Sequence, residues 1–234
     1  AWAATTGFSI FAAWIYPTVL APIFNKFTPM PEGELREAIL ALARRVGFRT
    51  SGLFVMDASR RTAHGNAYFT GLFRQKRIVL FDTLLQKFER DEIVSVLAHE
   101  AGHWKKKHVL KGIVLAEVVS LVAIYLSFRI IKTGIIGALF NIRPDTLYAD
   151  LLILGFIGGI ITFPLTPFAM YISRRHEREA DRFAVEMTGN AEAAATSLIK
   201  LSADNLSNLH PHPFYAAFHY SHPPVVERVR EIRG

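Results

Sequence analysis

The chain contains no cysteine among its 234 residues. Thiol catalysis, cysteine-ligated zinc and disulfide stapling are therefore excluded, and the redox compartment cannot be read from it. An initiator methionine is also missing: Ala1 opens inside an apolar run without the basic start of a signal peptide, so a longer parent chain is expected. There is no internal repeat and no low-complexity tract. Acidic residues are the scarcer charge, 20 Asp and Glu against 27 Lys and Arg, and the resulting +7 suits nucleic acid, an acidic substrate or anionic lipid until the positions of the charges decide. Charge of either sign is sparse, 20% of residues against 51% apolar. That balance excludes disorder, and because the apolar residues gather in long uncharged runs it points to a membrane protein.

Three runs carry that reading. Residues 1–24 hold no charge and include Trp2, Trp14 and Tyr16 as interfacial anchors, with Pro17 and Pro22 expected to bend or end the helix. Residues 112–128 are apolar except for Glu117 and lie between Lys111 and Arg129. Residues 151–172 are 22 positions without a charge, followed by Arg174 and Arg175. In this third run Gly155, Gly158 and Gly159 suit close helix packing, while Pro164 and Pro167 suit a kink or a cavity lining. The competing reading is three buried helices of a soluble protein.

Between the first two runs the composition is that of a globular domain. Leu35, Ala38, Ile39, Leu42 and Ala43 form one stripe of an amphipathic helix over 34–46. Short β-rich segments at 53–56, 67–70 and 77–81 predict a small sheet. A helix is expected from about Asp91 through Trp104, with acids at its start and Lys105, Lys106 and Lys107 at its end. Beyond the third run a polar helix is expected over 173–187, ended by Gly189-Asn190. An irregular His- and Pro-rich stretch is then expected over 210–224, and a closing helix from Val225.

The strongest motif is His99-Glu100-Ala101-Gly102-His103. Two histidines four positions apart lie one turn apart on one helix face, so both rings reach a single Zn²⁺, and Glu100 projects beside them toward the water that such a site activates. A zinc site with two His needs a third ligand, commonly a carboxylate, and keeps one position open. Glu177 is the candidate, with Asp181 one turn further on placed to accept the free N–H of a ligating His and fix its tautomer. Glu179 is the rival, but it sits about 160° away on the helical wheel and is expected to face solvent or basic partners. The bland alternative is a charged helix laced with ion pairs.

The membrane and metal readings support each other. The chain leaves the first metal helix at Lys107, crosses twice, and returns directly into Glu177. Lys105, Lys106, Lys107, Lys111, Arg174, Arg175 and Arg178 lie on that side, against Arg129, Lys132 and Arg143 on the other, so the zinc side is expected to be cytoplasmic. The basic residues thus cluster at membrane boundaries without the aromatic interleaving of a nucleic-acid platform, and nucleic acid is excluded as a partner.

Taken together the motifs resemble those of the type I CAAX prenyl proteases, integral-membrane zinc metallopeptidases. The residues that carry the resemblance are His64 to Gly71 (HGNAYFTG), Lys76 to Leu85 (KRIVLFDTLL), Val96-Leu97-Ala98-His99-Glu100 with Gly102-His103-Trp104, Ser173-Arg174-Arg175 with Glu177 and Ala180-Asp181, and Ser221-His222-Pro223-Pro224 with Glu227-Arg228. The resemblance implies His99, His103 and Glu177 as zinc ligands and Glu100 as catalytic base. It implies that the strand at Asn66, Ala67 and Tyr68 pairs with substrate backbone by β-augmentation, that His222 stabilises the oxyanion or donates a proton, and that Arg228 lies near the site as a substrate-binding residue, a helix-surface ion pair with Glu227 or Glu231 being the alternative. His64, His108, His176, His210, His212 and His219 receive no assignment.

The implied fold is mainly α, a multi-pass α-helical membrane protein with a zincin-type metalloprotease domain. Residues 1–25 are expected to form a transmembrane helix, 26–107 a cytoplasmic-side subdomain with the small sheet and the H-E-x-x-H helix, 108–172 a transmembrane hairpin, and 173–234 the third-ligand helix and C-terminal active-site segment. One Zn²⁺ per chain, peptide or protein substrates including prenylated C-terminal peptides, and a lipid bilayer are the expected partners, in the bacterial inner membrane or the endoplasmic reticulum membrane. Such families carry several more membrane helices around a chamber, so an upstream part is expected. Lys105-Lys106-Lys107-His108 is more basic than the family pattern, which suits anionic headgroups. An HtpX-like quality-control protease is the alternative within the same chemistry, and a catalytically silent membrane scaffold the alternative outside it.

Overall fold

The computed structural model describes residues 1–47, 49–70, 75–141 and 146–234. Gly71 of the quoted motif and Arg143 of the charge count lie outside the described residues. The elements run α1 (Trp2–Ile15), α2 (Ala21–Phe24), β1 (Phe27–Pro29), α3 (Glu34–Val46), β2 (Arg49–Met56), β3 (Ala67–Thr70), β4 (Gln75–Phe81), α4 (Asp82–Lys87) and α5 (Arg90–Lys105). They continue as α6 (His108–Thr133), α7 (Ile135–Phe140), α8 (Leu147–Thr162), α9 (Thr166–Thr188), α10 (Ala191–Asp204), α11 (Pro213–His219) and α12 (Val225–Arg233). Close contacts divide them into two units, residues 1–13 with 109–169 and residues 14–108 with 170–234.

The first unit is apolar helix. Leu110, Val114, Val118 and Val122 on one side of α6, and Val109, Leu115, Val119 and Leu126 elsewhere around it, are all exposed. A helix that is apolar all round and unburied has lipid as its natural solvent. Among the described residues, α6 and the helical stretch Leu147–Thr188 are long and apolar enough to cross a membrane. Glu117, the one charge in the middle of α6, is partnered by α1: Thr6 Oγ1 donates to its carboxylate and Trp2 Nε1 to its backbone oxygen at 3.3 Å. Close packing at Gly155, Gly158 and Gly159 is not seen among the described residues, since a Cβ at any of them would meet nothing within 4 Å.

The first run is interrupted at Pro17, one of the two prolines expected to bend or end it. After α1 the backbone widens into a π-turn over Tyr16–Leu20, where the Ala21 N–H donates to Tyr16 O. A proline at position 17 has no N–H to give, so the helical ladder is broken there and takes up an extra residue. The prolines of the third run act similarly, a 3₁₀ turn at Phe163–Leu165 separating α8 from α9.

The second unit holds a four-stranded sheet in the order β1-β2-β4-β3, with β2 and β4 parallel and the outer pairs antiparallel. The central β4 buries Ile78, Val79 and Leu80 in succession, as a strand covered on both faces does. Its core joins Ile39 and Val46 of α3 to Leu84 of α4 and to Ile93, Leu97 and Ala98 of α5. α3 has acids in its first turn, bases in its last, and ends at Gly47 with φ +92°, a left-handed position that glycine adopts without penalty. β1 and α11 are among the elements that the sequence did not lead one to expect. The three-residue β1 is too short to show alternation. The stretch expected to be irregular contains α11, where Pro213 occupies the first turn and His212 Nδ1 accepts from the Phe214 N–H at 3.3 Å; a proline there starts a helix, because that N–H is unused anyway.

Candidate metal centre

α5 is set by its own ends. Glu89 and Glu92 form a reciprocal capping box, with the Glu89 N–H donating to Glu92 Oε2 at 2.8 Å. Its apolar face, Ile93, Leu97, Ala98 and Ala101, is anchored in the core, which turns His99 and His103 toward α9. There α9 presents Glu177, Ala180, Asp181 and Ala184, all buried. The two helices meet at Gly102, where a Cβ would stand 3.1 Å from Ala180 Cα and 3.3 Å from Ala180 O. Only a glycine permits so close an approach, and it is this approach that brings the two pairs of side chains together.

Three side chains bring donor atoms together between the helices, each carboxylate oxygen of Glu177 facing one imidazole. His99 Nε2 lies 3.1 Å from His103 Nε2 and 3.4 Å from Glu177 Oε2, and His103 Nε2 lies 3.2 Å from Glu177 Oε1. Ligands about 2.0–2.1 Å from a tetrahedral zinc stand about 3.3 Å from one another, so the triangle fits such an ion. Two imidazole lone pairs and a carboxylate facing each other at this spacing repel unless a proton or a cation lies among them. His99, His103 and Glu177 are accordingly the group whose donor atoms could hold a metal.

Around the triangle the partners are charged. His99 Nδ1 lies 2.9 Å from Asp181 Oδ1, at hydrogen-bond distance but with a bent angle. Asp181 is gripped by Arg228 of α12, whose Nε donates to Oδ2 at 2.7 Å and Nη2 to Oδ1 at 2.6 Å. Arg228 Nη2 also stands 3.5 Å from Glu177 Oε2. Burial alone would raise Glu177, but hydrogen bonds from His103, His222 and His99 hold it well below the usual carboxylate range. Burial alone would lower His99, but hydrogen bonds to Asp181 and Glu177 push it up to about 9 in the metal-free site. Burial raises Glu100 against the opposing pull of His99 and His103, which moves it in the direction that suits a proton shuttle near neutral pH.

A cleft of about 780 Å³ opens on these groups, lined by Asn66, Glu100, Glu177, Ser197, His222 and Arg228 among others. His222 arrives on the segment between α11 and α12, its Nδ1 2.7 Å from Glu177 Oε2 while most of the side chain is exposed. That segment is tied to α9 by Arg174, whose Nη1 donates to Ala216 O at 3.1 Å and Tyr220 O at 2.8 Å. β3 forms the edge of the sheet, and Asn66 just before it lines the cleft; Ala67 is buried and Tyr68 packs edge-on against Phe81, so neither lines it. Glu179 is turned away from the triangle, and its basic partners are Arg175 Nε at 3.1 Å and His108 Nε2 at 3.1 Å. His108 and Arg174 received no site role from the sequence; both act through the folding back of the chain, which spacing along one helix does not reveal.

Comparison with known proteins follows the same residues. The model of peptidase family M48 matches residues 29–234, a stretch that contains the whole triangle and its partners. The chain belongs to peptidase family M48. It is 39% identical to the CAAX prenyl protease 1 homolog of Arabidopsis thaliana, over 100% of this chain and 55% of that one. It is also 39% identical to CAAX prenyl protease 1 of Saccharomyces cerevisiae, over 95% of this chain and 52% of that one. The crystal structure of S. mikatae Ste24p superposes with a TM-score of 0.89 at 34% identity, covering 100% of this chain and 57% of that one. The chain therefore spans about half the length of these M48 relatives, and the family's metal dependence agrees with the donor triangle of α5 and α9.

Proposed function

We propose that this chain is the metal-binding and peptide-hydrolysing part of a membrane-embedded zinc endopeptidase that processes proteins near a prenylated C-terminus. The observation that carries the reading is the triangle of His99, His103 and Glu177 at 3.1–3.4 Å, with Glu100 beside it in the cleft. His99, His103 and Glu177 would hold the ion, whose chemistry there is that of a Lewis acid toward a peptide carbonyl and an acidifier of water.

The remaining roles belong to the chain itself. Glu100, raised by burial, accepts the proton of the attacking water and returns it to the leaving amine. His222, held against Glu177 at 2.7 Å, donates to the oxyanion as it forms. Asp181, fixed by Arg228, holds His99 in the tautomer whose Nε2 is a free lone pair. The edge strand β3 receives substrate as an added strand, with Asn66 at the cleft end and Ala67 and Tyr68 behind it giving their backbone groups. The prenyl substrate is supported by the names of the relatives that the chain matches at 39% identity. In this reading α6 and the uncharged residues 151–172 of the stretch Leu147–Thr188 cross the bilayer and return the chain, just before Glu177, to the side it left; the basic residues flanking them support a cytoplasmic metal centre.

The test is zinc content by elemental analysis of detergent-purified wild type and Glu177→Ala, alongside cleavage of a prenylated peptide with and without chelator. One zinc per chain, lost in the variant, with chelator-sensitive cleavage is the expected result. Zinc-free wild type overturns the metal centre, and zinc-loaded protein that cleaves a misfolded membrane protein but no prenylated peptide overturns the substrate.

A further inference from the structure

Both ligand histidines have a second nitrogen, and the two are treated differently. His99 Nδ1 faces the carboxylate of Asp181 at 2.9 Å. Among the described residues His103 Nδ1 faces no carboxylate; it lies 3.1 Å from Nδ1 of His108, whose own Nε2 lies 3.1 Å from Glu179 Oε2. Glu179 in turn accepts from Arg175 at 3.1 Å. His108 is buried, and its ring lies flat on that of His176 with centroids 4.0 Å apart and planes 7° from parallel, so it has little freedom to turn.

The proton positions along this row follow from one requirement. If His103 offers Nε2 as a lone pair, its Nδ1 must carry the hydrogen, because a neutral imidazole has one of each. The Nδ1 of His108 must then accept, which leaves its hydrogen on Nε2, pointing at the carboxylate of Glu179. Each step has its donor matched to an acceptor, and no other assignment of neutral rings satisfies all three contacts. We propose that His108 and Glu179 form a positioning relay that fixes the tautomer and orientation of His103, doing through an intervening imidazole what Asp181 does directly for His99.

The backbone is bent to make this contact. Between α5 and α6, Lys107 has φ +59°, a left-handed conformation that is unfavourable for a non-glycine residue. Its N–H bonds to Trp104 O at 3.0 Å, and the next residue is His108. A strained residue at this point is what the sequence Lys105-Lys106-Lys107-His108 looks like when its last side chain, and not its lysines, is the part with a fixed place.

The relay rests on His103 being a metal ligand, and its test separates the two ideas. Zn²⁺ affinity of the detergent-purified full chain is measured by competition with a chromogenic chelator, with thermal unfolding of the metal-free proteins alongside. His108→Phe keeps a flat ring against His176 but accepts nothing; zinc binding is expected to weaken 10- to 100-fold. In His108→Asn the amide oxygen stands near the place of Nδ1, so affinity is expected to return most of the way. Glu179→Ala is expected to weaken binding by a smaller factor. A wild type that binds zinc and a His108→Phe that binds it equally well overturn the relay alone. So does a His108→Asn as weak as His108→Phe while its metal-free unfolding matches wild type. A wild type that takes up no zinc overturns the metal centre itself and the relay with it.

Discussion

At the scale of the residue, the site depends on which groups carry protons. Glu100 is separated in role from Glu177 by surroundings: Glu177 is held ionised by three histidines, whereas burial raises Glu100. Glu100→Gln removes a proton acceptor without touching a metal ligand. Zinc content is expected to stay at wild-type level while peptide cleavage falls on the order of 10²–10⁴-fold, measured on the same preparation. His99 sets a second expectation, for the metal-free protein. Its value in the fold, about 9, lies above its ordinary 6.5, so the stability that its proton contributes is fully present below about pH 6.5 and is lost as pH rises through about 9. The chelated protein is therefore expected to unfold at progressively lower temperature across that window. Metal-loaded protein, in which the ion replaces the proton, is expected to be level or to rise, since binding there competes with protons. Thermal unfolding at several pH values, with and without chelator, reads both.

At the scale of the element, the α5–α9 contact is the feature on which the centre turns, and Gly102 is its narrowest point. Gly102→Ala places a methyl group 3.1 Å from Ala180 Cα and 3.2 Å from Phe183 Cδ1. Overpacking of this kind costs about 1–3 kcal/mol, and because it parts the helices that carry the ligands, zinc affinity is expected to fall with stability. Gly155→Ala in α8, where a Cβ meets nothing within 4 Å, is the control and is expected to change neither. Unfolding and zinc competition measured on both variants check the contrast. The legibility of the sequence also differs by element. The 34–46 stripe, the 67–70 strand and the α5 motif were readable because each has its own local signal: a 3.6-residue stripe, a β-rich run between turns, a four-residue ligand spacing. Asp181 was readable because it repeats the position of Glu177 one turn on. His108 was not, because the left-handed Lys107 turns it back, and neither periodicity nor spacing encodes that turn. α11 was hidden by prolines and histidines that mark a loop by composition, although Pro213 sits at the one helical position that suits it.

At the scale of the whole molecule, α6 and the uncharged residues 151–172 lie in the chain between the two halves of the metal centre, α5 and the Glu177 turn of α9. The charges argue for one arrangement. Lys105, Lys106, Lys107 and Lys111 gather where α5 passes into α6, while the other end of α6 carries only Arg129 and Lys132. An excess of Lys and Arg marks the cytoplasmic end of a span. Because these 234 residues contain no cysteine, a thiol introduced among them is the only one they offer a maleimide. Lys106→Cys, just before α6, and Lys132→Cys, in its last turn, remove one charge each and touch neither the proposed ligands nor Glu100. In intact cells, a membrane-impermeant maleimide is expected to label Lys132→Cys and to leave Lys106→Cys unlabelled until the membrane is opened. The reverse pattern would put His99 and His103, three to seven residues before position 106, on the outer side. Prenylated substrates made in the cytoplasm could then not reach Glu100 by the proposed route.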